Sequence, residues 1–204
     1  QGLVQLIHRQ LRRMELPQTE RLLDNLMAVE SSTRKMTGLV DELLDVSRIE
    51  STGSVSLSRH DVDLVALTRR VLRDMQPTTA RHELRLDTAL DRLVGKWDEA
   101  RLERVLTNLV GNAIKYSPDG GLVRVCLAHR REEQMSRAVI SVSDVGIGVP
   151  VADREAVFTR FHRAANVPAG IAGSGIGLSY VQQVVAQHGG SIAMQPNAGR
   201  GSTF

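Results

Sequence analysis

Asn108, Asn112 and Lys115, spaced by four and three, fall on one line of a helix expected over residues 98–116. Leu102, Leu106, Leu109, Val110 and Ala113 fall on its other side. Asparagine is a weak helix former, and a face meant only for water more often carries Glu, Lys or Gln. A carboxamide oxygen can coordinate a hard cation such as Mg2+, and a lysine ammonium can meet phosphate oxygens. The line reads as a metal and phosphate site or as a plain polar face. A second candidate is Asp144. The pleat of Ile140-Ser-Val-Ser-Asp144 puts Ile140, Val142 and Asp144 on one apolar face. A carboxylate there is costly unless it is hydrogen-bonded. Gly146 and Gly148 follow at alternate positions and let backbone approach a ligand closely. A carboxylate fixed beside such a turn can accept from the exocyclic amine of adenine. The alternative is an Asx turn whose glycines serve shape alone. The third candidate is Gly173-Ser-Gly175-Ile-Gly177-Leu178, which runs into a helix whose free N–H groups can bind phosphate. No Gly-Lys-Ser/Thr follows, so it is not a P-loop, and no strand precedes it as in a dinucleotide-binding turn. The Ala-, Gly- and Pro-rich residues 164–172 upstream read as a lid that closes over a nucleotide.

These groups need a scaffold. Residues 61–75 read as a helix with Val62, Val65, Ala66 and Val71 inward, and Asp98 as the cap of the helix that carries the asparagines. Short strands are expected at Val55–Leu57, 83–87, 93–97, 123–128, 139–144 and 191–194, and a further helix over 175–188. Segregated helices and a mixed sheet indicate an α+β, two-layer α/β sandwich. Residues 3–14 form one helical stripe. Leu22, Leu26, Val29, Thr33, Met36, Val40 and Leu43 form a heptad-like seam that Ser51-Thr-Gly-Ser54 ends. Together these predict an antiparallel helical hairpin over 1–53 ahead of a domain over 54–204. Leu23, Leu39 and Leu44 lie off the seam, which favours dimerisation through a four-helix bundle over packing on the chain's own second domain.

Composition narrows the class. Charged residues make up 24% and hydrophobic ones 42%, ordinary for a globular protein able to bury a core. Aromatics are only 3%, so aliphatic packing must dominate. The net charge of +3 comes from scattered arginines without interleaved aromatics, which argues against nucleic acid. Cys126 is the only cysteine, excludes an internal disulfide, and reads as a small buried strand residue in a reducing compartment. No apolar run is long enough to span a bilayer. Any membrane attachment is expected only through regions upstream, with this part cytoplasmic.

The motifs together resemble the histidine kinase catalytic domain of the gyrase, Hsp90, histidine kinase and MutL superfamily, with its Bergerat-type ATP-binding fold. Asn108-Leu-Val-Gly-Asn112-Ala-Ile-Lys115-Tyr116-Ser-Pro118 is similar to the N box, and Asp144-Val-Gly146-Ile-Gly148-Val-Pro150 to the G1 box. Phe158-Thr-Arg-Phe161-His-Arg163 is similar to the F box, Gly173-Ser-Gly175-Ile-Gly177-Leu178 to the G2 box, and Gly199-Arg-Gly201-Ser-Thr-Phe204 to the last glycine motif. Leu39-Val-Asp-Glu-Leu-Leu-Asp-Val-Ser-Arg-Ile-Glu50 resembles the second helix of the dimerisation and phosphoacceptor domain. The resemblance implies ATP and Mg2+ as ligands. Asn112 would hold Mg2+, supported by Asn108. Lys115 would contact phosphate and Tyr116 line the nucleotide site. Asp144 would take the adenine amine, with Gly146 and Gly148 shaping the base pocket. Gly173, Gly175, Gly177 and Leu178 would surround the phosphates, Arg163 would reach the γ-phosphate, and Phe158 and Phe161 would anchor the lid.

The implied activity is that of a sensor histidine kinase: transfer of the ATP γ-phosphoryl to histidine, then to an aspartate of a response-regulator receiver domain. One departure stands out. The family's acceptor histidine precedes an acidic residue, with a proline five positions on, and none of His8, His60, His82, His129, His162 and His188 has that pattern. Both chain ends read as cut, so the acceptor is expected upstream of Gln1, with no catalytic residue of its own in these 204 residues and little turnover by them alone. The rivals are an ATPase of the same superfamily and a nucleotide-binding or dimerising scaffold. The ATPases place a glutamate four residues before the metal-binding asparagine, where this chain has Asn108, a poor base.

Overall fold

A computed structural model describes residues 57–132, 135–171 and 173–204, which belong to one unit, Ser56–Phe204. The helical hairpin and the dimer seam expected over 1–53 lie outside the described residues.

The unit begins with β1 (His60–Asp63), which pairs antiparallel with β3 (Val94–Trp97). Between them run α1 (Leu64–Met75) and β2 (His82–Asp87). Asp63 caps α1 by accepting from the Val65 N–H at 3.1 Å, so the helix starts three residues later than the periodicity predicts. The first strand among the described residues is His60–Asp63, whose pairing partner lies more than 30 residues away, beyond any local pattern; the strand expected at 55–57 falls mostly outside the described residues. Next comes α2 (Glu99–Lys115), capped as expected by Asp98, whose buried carboxylate takes the N–H groups of Arg101 and Ser58 at 3.2 and 3.0 Å. β4 (Gly121–Glu132), β5 (Met135–Ser143), α3 (Gly177–Gln187), β6 (Gln195–Pro196) and β7 (Ser202–Thr203) complete the unit.

The main sheet has the order β2-β4-β5-β7-β6, with β2 and β4 parallel and the other pairs antiparallel. Leu84 and Leu86, Val123, Val125 and Leu127, and Ile140 and Val142 alternate onto one face, which α1, α2 and α3 cover. Leu106 and Val110 of α2 and Val65 of α1 are fully buried at its centre. This is the expected two-layer α/β sandwich, aliphatic at its core. Three local readings change. Ala66 is exposed on the outer side of α1, and Cys126 is half-buried on the sheet face away from the helices. Residues 191–194 form no strand: Ile192 packs on the core, but no neighbouring strand runs beside it among the described residues, and the ladder begins at Gln195.

Candidate functional site

Helix α2 forms a common wall against which three glycines from two separate segments lie. At its middle, a Cβ added to Gly177 would sit 2.6 Å from Asn108 Oδ1. Near its end, a Cβ on Gly173 would collide with the Lys115 ammonium and come within 3.8 Å of the Tyr116 hydroxyl. Just past its end, a Cβ on Gly146 would collide with the Tyr116 carbonyl and lie 2.7 Å from Ser117 Oγ. Each glycine is therefore there because backbone must touch α2. The segments beginning at Asp144 and at Gly173, 29 residues apart in sequence, meet on one helix.

Along that wall Asn108, Asn112, Lys115 and Tyr116 are all half-buried. Asn108 donates from Nδ2 to the Arg104 carbonyl at 3.0 Å, which turns its oxygen toward Gly177. The Asn112 carboxamide makes no hydrogen bond among the described residues. Lys115 Nζ donates to the Tyr116 hydroxyl at 3.0 Å and sits 4.6 Å from that ring's centroid.

Asp144 follows directly on β5 and is only 6% exposed. Its Oδ1 accepts from the N–H of Gly146 at 2.9 Å and of Ser202 at 3.3 Å, while Oδ2 takes no hydrogen bond among the described residues. Burial raises the carboxyl above the usual carboxylate range, and the two backbone N–H groups work in the other direction. The Ile147 N–H donates to the Tyr116 carbonyl at 3.0 Å, which seats the turn on α2. Gly148, with φ 68°, then reverses the chain.

The second segment, Gly173–Leu178, ends at the N-terminus of α3. Ile176 occupies the cap position without a side-chain cap, so the first-turn N–H groups remain available to an anion. Leu178 packs its side chain on the core. Gly175 has φ 72° and accepts at its carbonyl from the Phe161 N–H at 3.0 Å. This bond closes the loop between Phe161 and Gly175 at its neck. Arg163 is exposed and donates to the Ile171 carbonyl at 2.6 Å, within that same loop. Phe158 packs edge-on against Phe204, with centroids 6.3 Å apart. Phe161, expected as a second aromatic anchor, is 71% exposed, and only its backbone holds the loop.

Some participants escape sequence reasoning. Ser202 acts through its N–H, which any residue type offers. Asn197 donates from Nδ2 to the Asp144 carbonyl at 2.6 Å and accepts from Thr203 Oγ1 at 2.7 Å, across more than 50 residues of sequence. Asn166 reaches from the loop to the Ile147 and Gly148 carbonyls at 3.2 and 3.0 Å. Only the recurrence of asparagine beside glycine-rich turns could have flagged the last two.

A mixed sheet with three helices on one face, and glycine turns gathered along one of them, defines an ATP-binding sandwich in class. The family described as histidine kinase-, DNA gyrase B-, and HSP90-like ATPase matches residues 97–204, just over half of the chain, and the chain belongs to that family. It is 33% identical over 181 residues to the sensor histidine kinase WalK of Bacillus subtilis (strain 168), covering 88% of this chain and 29% of WalK. It is 35% identical over 193 residues to the sensor histidine kinase GacS of Pseudomonas protegens, covering 91% of this chain and 21% of GacS. The chain thus spans less than a third of the length of these curated relatives. Among solved structures, full-length ShkA in complex with AMPPNP superposes with a TM-score of 0.71 at 27% identity, covering 97% of this chain and 40% of ShkA. A mycobacterial sensor histidine kinase, MprB, gives 0.61 at 29% identity, covering 71% and 93%.

Proposed function

We propose that this chain is the ATP-binding catalytic core of a sensor histidine kinase, passing the ATP γ-phosphoryl to a histidine and from there to an aspartate of a response-regulator receiver domain. The observation that supports this best is the meeting of the two glycine segments on α2 at Asn108, Lys115 and Tyr116. In this reading the turn at one end of the helix reads the base, and the helix N-terminus beside its middle binds phosphate. The similarity to named sensor histidine kinases, and to a structure solved with AMPPNP, supports the same reading.

The residues fit Mg2+ and the nucleotide. Among the described residues the Asn112 carboxamide oxygen has no protein donor, which suits a hard cation. Asp144 Oδ2 has no partner among the described residues, which suits the adenine amine. Lys115 and the backbone from Gly173 to Leu178 supply positive charge and N–H donors for phosphate oxygens. Bound there, Mg2+ would neutralise charge on the phosphates. Phosphoryl transfer needs mainly positioning and charge neutralisation, so a site without a general base is adequate for it. Asn108, committed to the Arg104 carbonyl and facing Gly177, cannot activate water as a glutamate would. This sets transfer above hydrolysis. In this reading Arg163 swings from the Ile171 carbonyl to the γ-phosphate when the loop closes, the helical hairpin dimerises the protein, and the domain works in the cytoplasm. Among the described residues no helix is long and apolar enough to cross a membrane.

Incubating the full-length protein with γ-labelled ATP and Mg2+ tests the activity. The expected product is an acid-labile, alkali-stable phosphoprotein that loses its label to a receiver domain. ATP hydrolysis without any protein label would favour the ATPase alternative and count against this reading.

A further inference from the structure

His82 opens β2 and is 8% exposed. Its ring is fully committed. Nε2 lies 2.8 Å from the Ser117 carbonyl and Nδ1 lies 2.7 Å from Thr79 Oγ1. A carbonyl only accepts, so Nε2 carries the proton and Nδ1 accepts from the Thr79 hydroxyl. The backbone around the ring is braced as well: Gln76 Nε2 donates to the His82 carbonyl and its Oε1 accepts from the Leu84 N–H, both at 2.9 Å. A leucine could fill the same volume. It could not hold the Ser117 carbonyl, which otherwise accepts only from the Gly120 N–H at 2.9 Å.

Ser117 is where this matters. It is 2% exposed and immediately follows Tyr116. The Tyr116 carbonyl and the Ser117 hydroxyl form the surface against which Gly146 sits with no room for a Cβ. The Tyr116 carbonyl takes the Ile147 N–H, and the Gly146 N–H goes to Asp144 Oδ1. A continuous set of contacts therefore runs from His82 through Ser117 and Gly146 to the carboxylate proposed to read adenine. Among the described residues none of its hydrogen bonds goes to Gly173, Gly175 or Gly177, and it meets the phosphate side through Tyr116, whose N–H donates to the Asn112 carbonyl at 2.9 Å and whose hydroxyl lies beside Gly173.

We infer that His82 is a positioning residue for base recognition: by holding the Ser117 carbonyl it fixes the seat of the Asp144–Gly148 turn. The inference rests on the proposed adenine role of Asp144. Its signature is specific. Losing the imidazole should weaken discrimination at the 6-position of the purine while leaving phosphate-side binding in place.

Calorimetric titration of the 204-residue chain with Mg-ATP and Mg-ITP, whose base carries a 6-oxo group in place of the 6-amine, provides the test. Four variants are compared with the wild type: His82→Leu, His82→Gln, Thr79→Val and Asp144→Asn. In His82→Leu, ATP affinity should drop roughly tenfold and ITP affinity by less than about twofold, so the preference collapses. His82→Gln, which keeps an N–H for the Ser117 carbonyl, should recover most of the preference even where its Tm matches that of His82→Leu. Thr79→Val spares the ring but removes the hydroxyl that holds Nδ1 and orients the imidazole toward the Ser117 carbonyl, and should reduce the preference several-fold. It serves as the deciding variant should His82→Leu not fold. A wild-type ATP-to-ITP ratio in His82→Leu or in Thr79→Val would overturn the inference, as would a glutamine variant no better than leucine. Asp144→Asn separates the two levels. If it collapses the ratio while the His82 and Thr79 variants do not, only the positioning role fails. If it leaves the ratio intact, the adenine reading itself fails.

Discussion

Asp144 gives the site a pH dependence. Burial holds its carboxyl above the usual range, and the N–H groups of Gly146 and Ser202 offset this only in part. The folded state therefore binds this proton more tightly than the unfolded chain. Stability should fall as pH rises from the unfolded carboxylate value of about 3.9 through the folded one, and be level above it. Because Oδ1 is taken by two N–H donors, the proton belongs on Oδ2, the oxygen proposed to meet adenine. ATP affinity should then move the opposite way, decreasing as pH drops through the folded value. Asp144→Asn should flatten the pH dependence of Tm in that window and weaken ATP binding about 10- to 100-fold, the range for a hydrogen bond to a charged group. A variant whose ATP affinity matches wild type would remove Asp144 from the site. Asn112 makes a different prediction. Its carboxamide has no protein partner among the described residues, so Asn112→Ala should leave Tm nearly unchanged. It should abolish the gain in ATP affinity that Mg2+ gives over EDTA. An undiminished Mg2+ effect would place the metal elsewhere.

At the scale of elements, α2 is both core and site. Leu102, Leu106 and Leu109 bury one side, and Asn108, Asn112 and Lys115 line the other. Any shift that relieves a clash on one side disturbs the other. The tightest point is Gly146, whose missing side chain faces a backbone carbonyl that cannot rotate away. Gly146→Ala should destabilise the fold by about 1–3 kcal/mol, as overpacking does, and abolish nucleotide binding even where the protein remains folded. Normal binding with a small loss of stability would show that the turn is free to move off α2. The elements also show what periodicity can and cannot reveal. α2 was readable to within a residue at each end, because Asp98 caps it and its apolar stripe is uninterrupted. β1 was not, because His60-Asp-Val-Asp63 offers a single apolar residue and its partner strand is remote. Residues 191–194 alternate in exposure like a strand, yet strand structure requires a neighbour and none lies alongside among the described residues. Of the site, the side chains on α2 and Asp144 were legible because their types are unusual for their positions. His82, Asn197 and the Ser202 N–H were not, because their roles exist only through contacts between residues far apart in sequence.

At the scale of the molecule, 3% aromatics means that shape comes from close aliphatic packing between one sheet face and three helices. The opposite face and the loops are then free to carry polar function. The site belongs to no single element: it exists only when β5, α2 and α3 are docked, so folding and nucleotide binding should be coupled. That convergence is the claim on which the functional reading stands, and amide chemical-shift mapping tests it most directly. Titrating the 204-residue chain with Mg2+ and a non-hydrolysable ATP analogue should shift the amides of Gly146, Ile147, Gly173, Gly175 and Gly177 and the side-chain amide of Asn112 together, along curves that saturate at one common Kd. Shifts confined to one of these segments, or separate segments saturating at different concentrations, would contradict a single magnesium–nucleotide site.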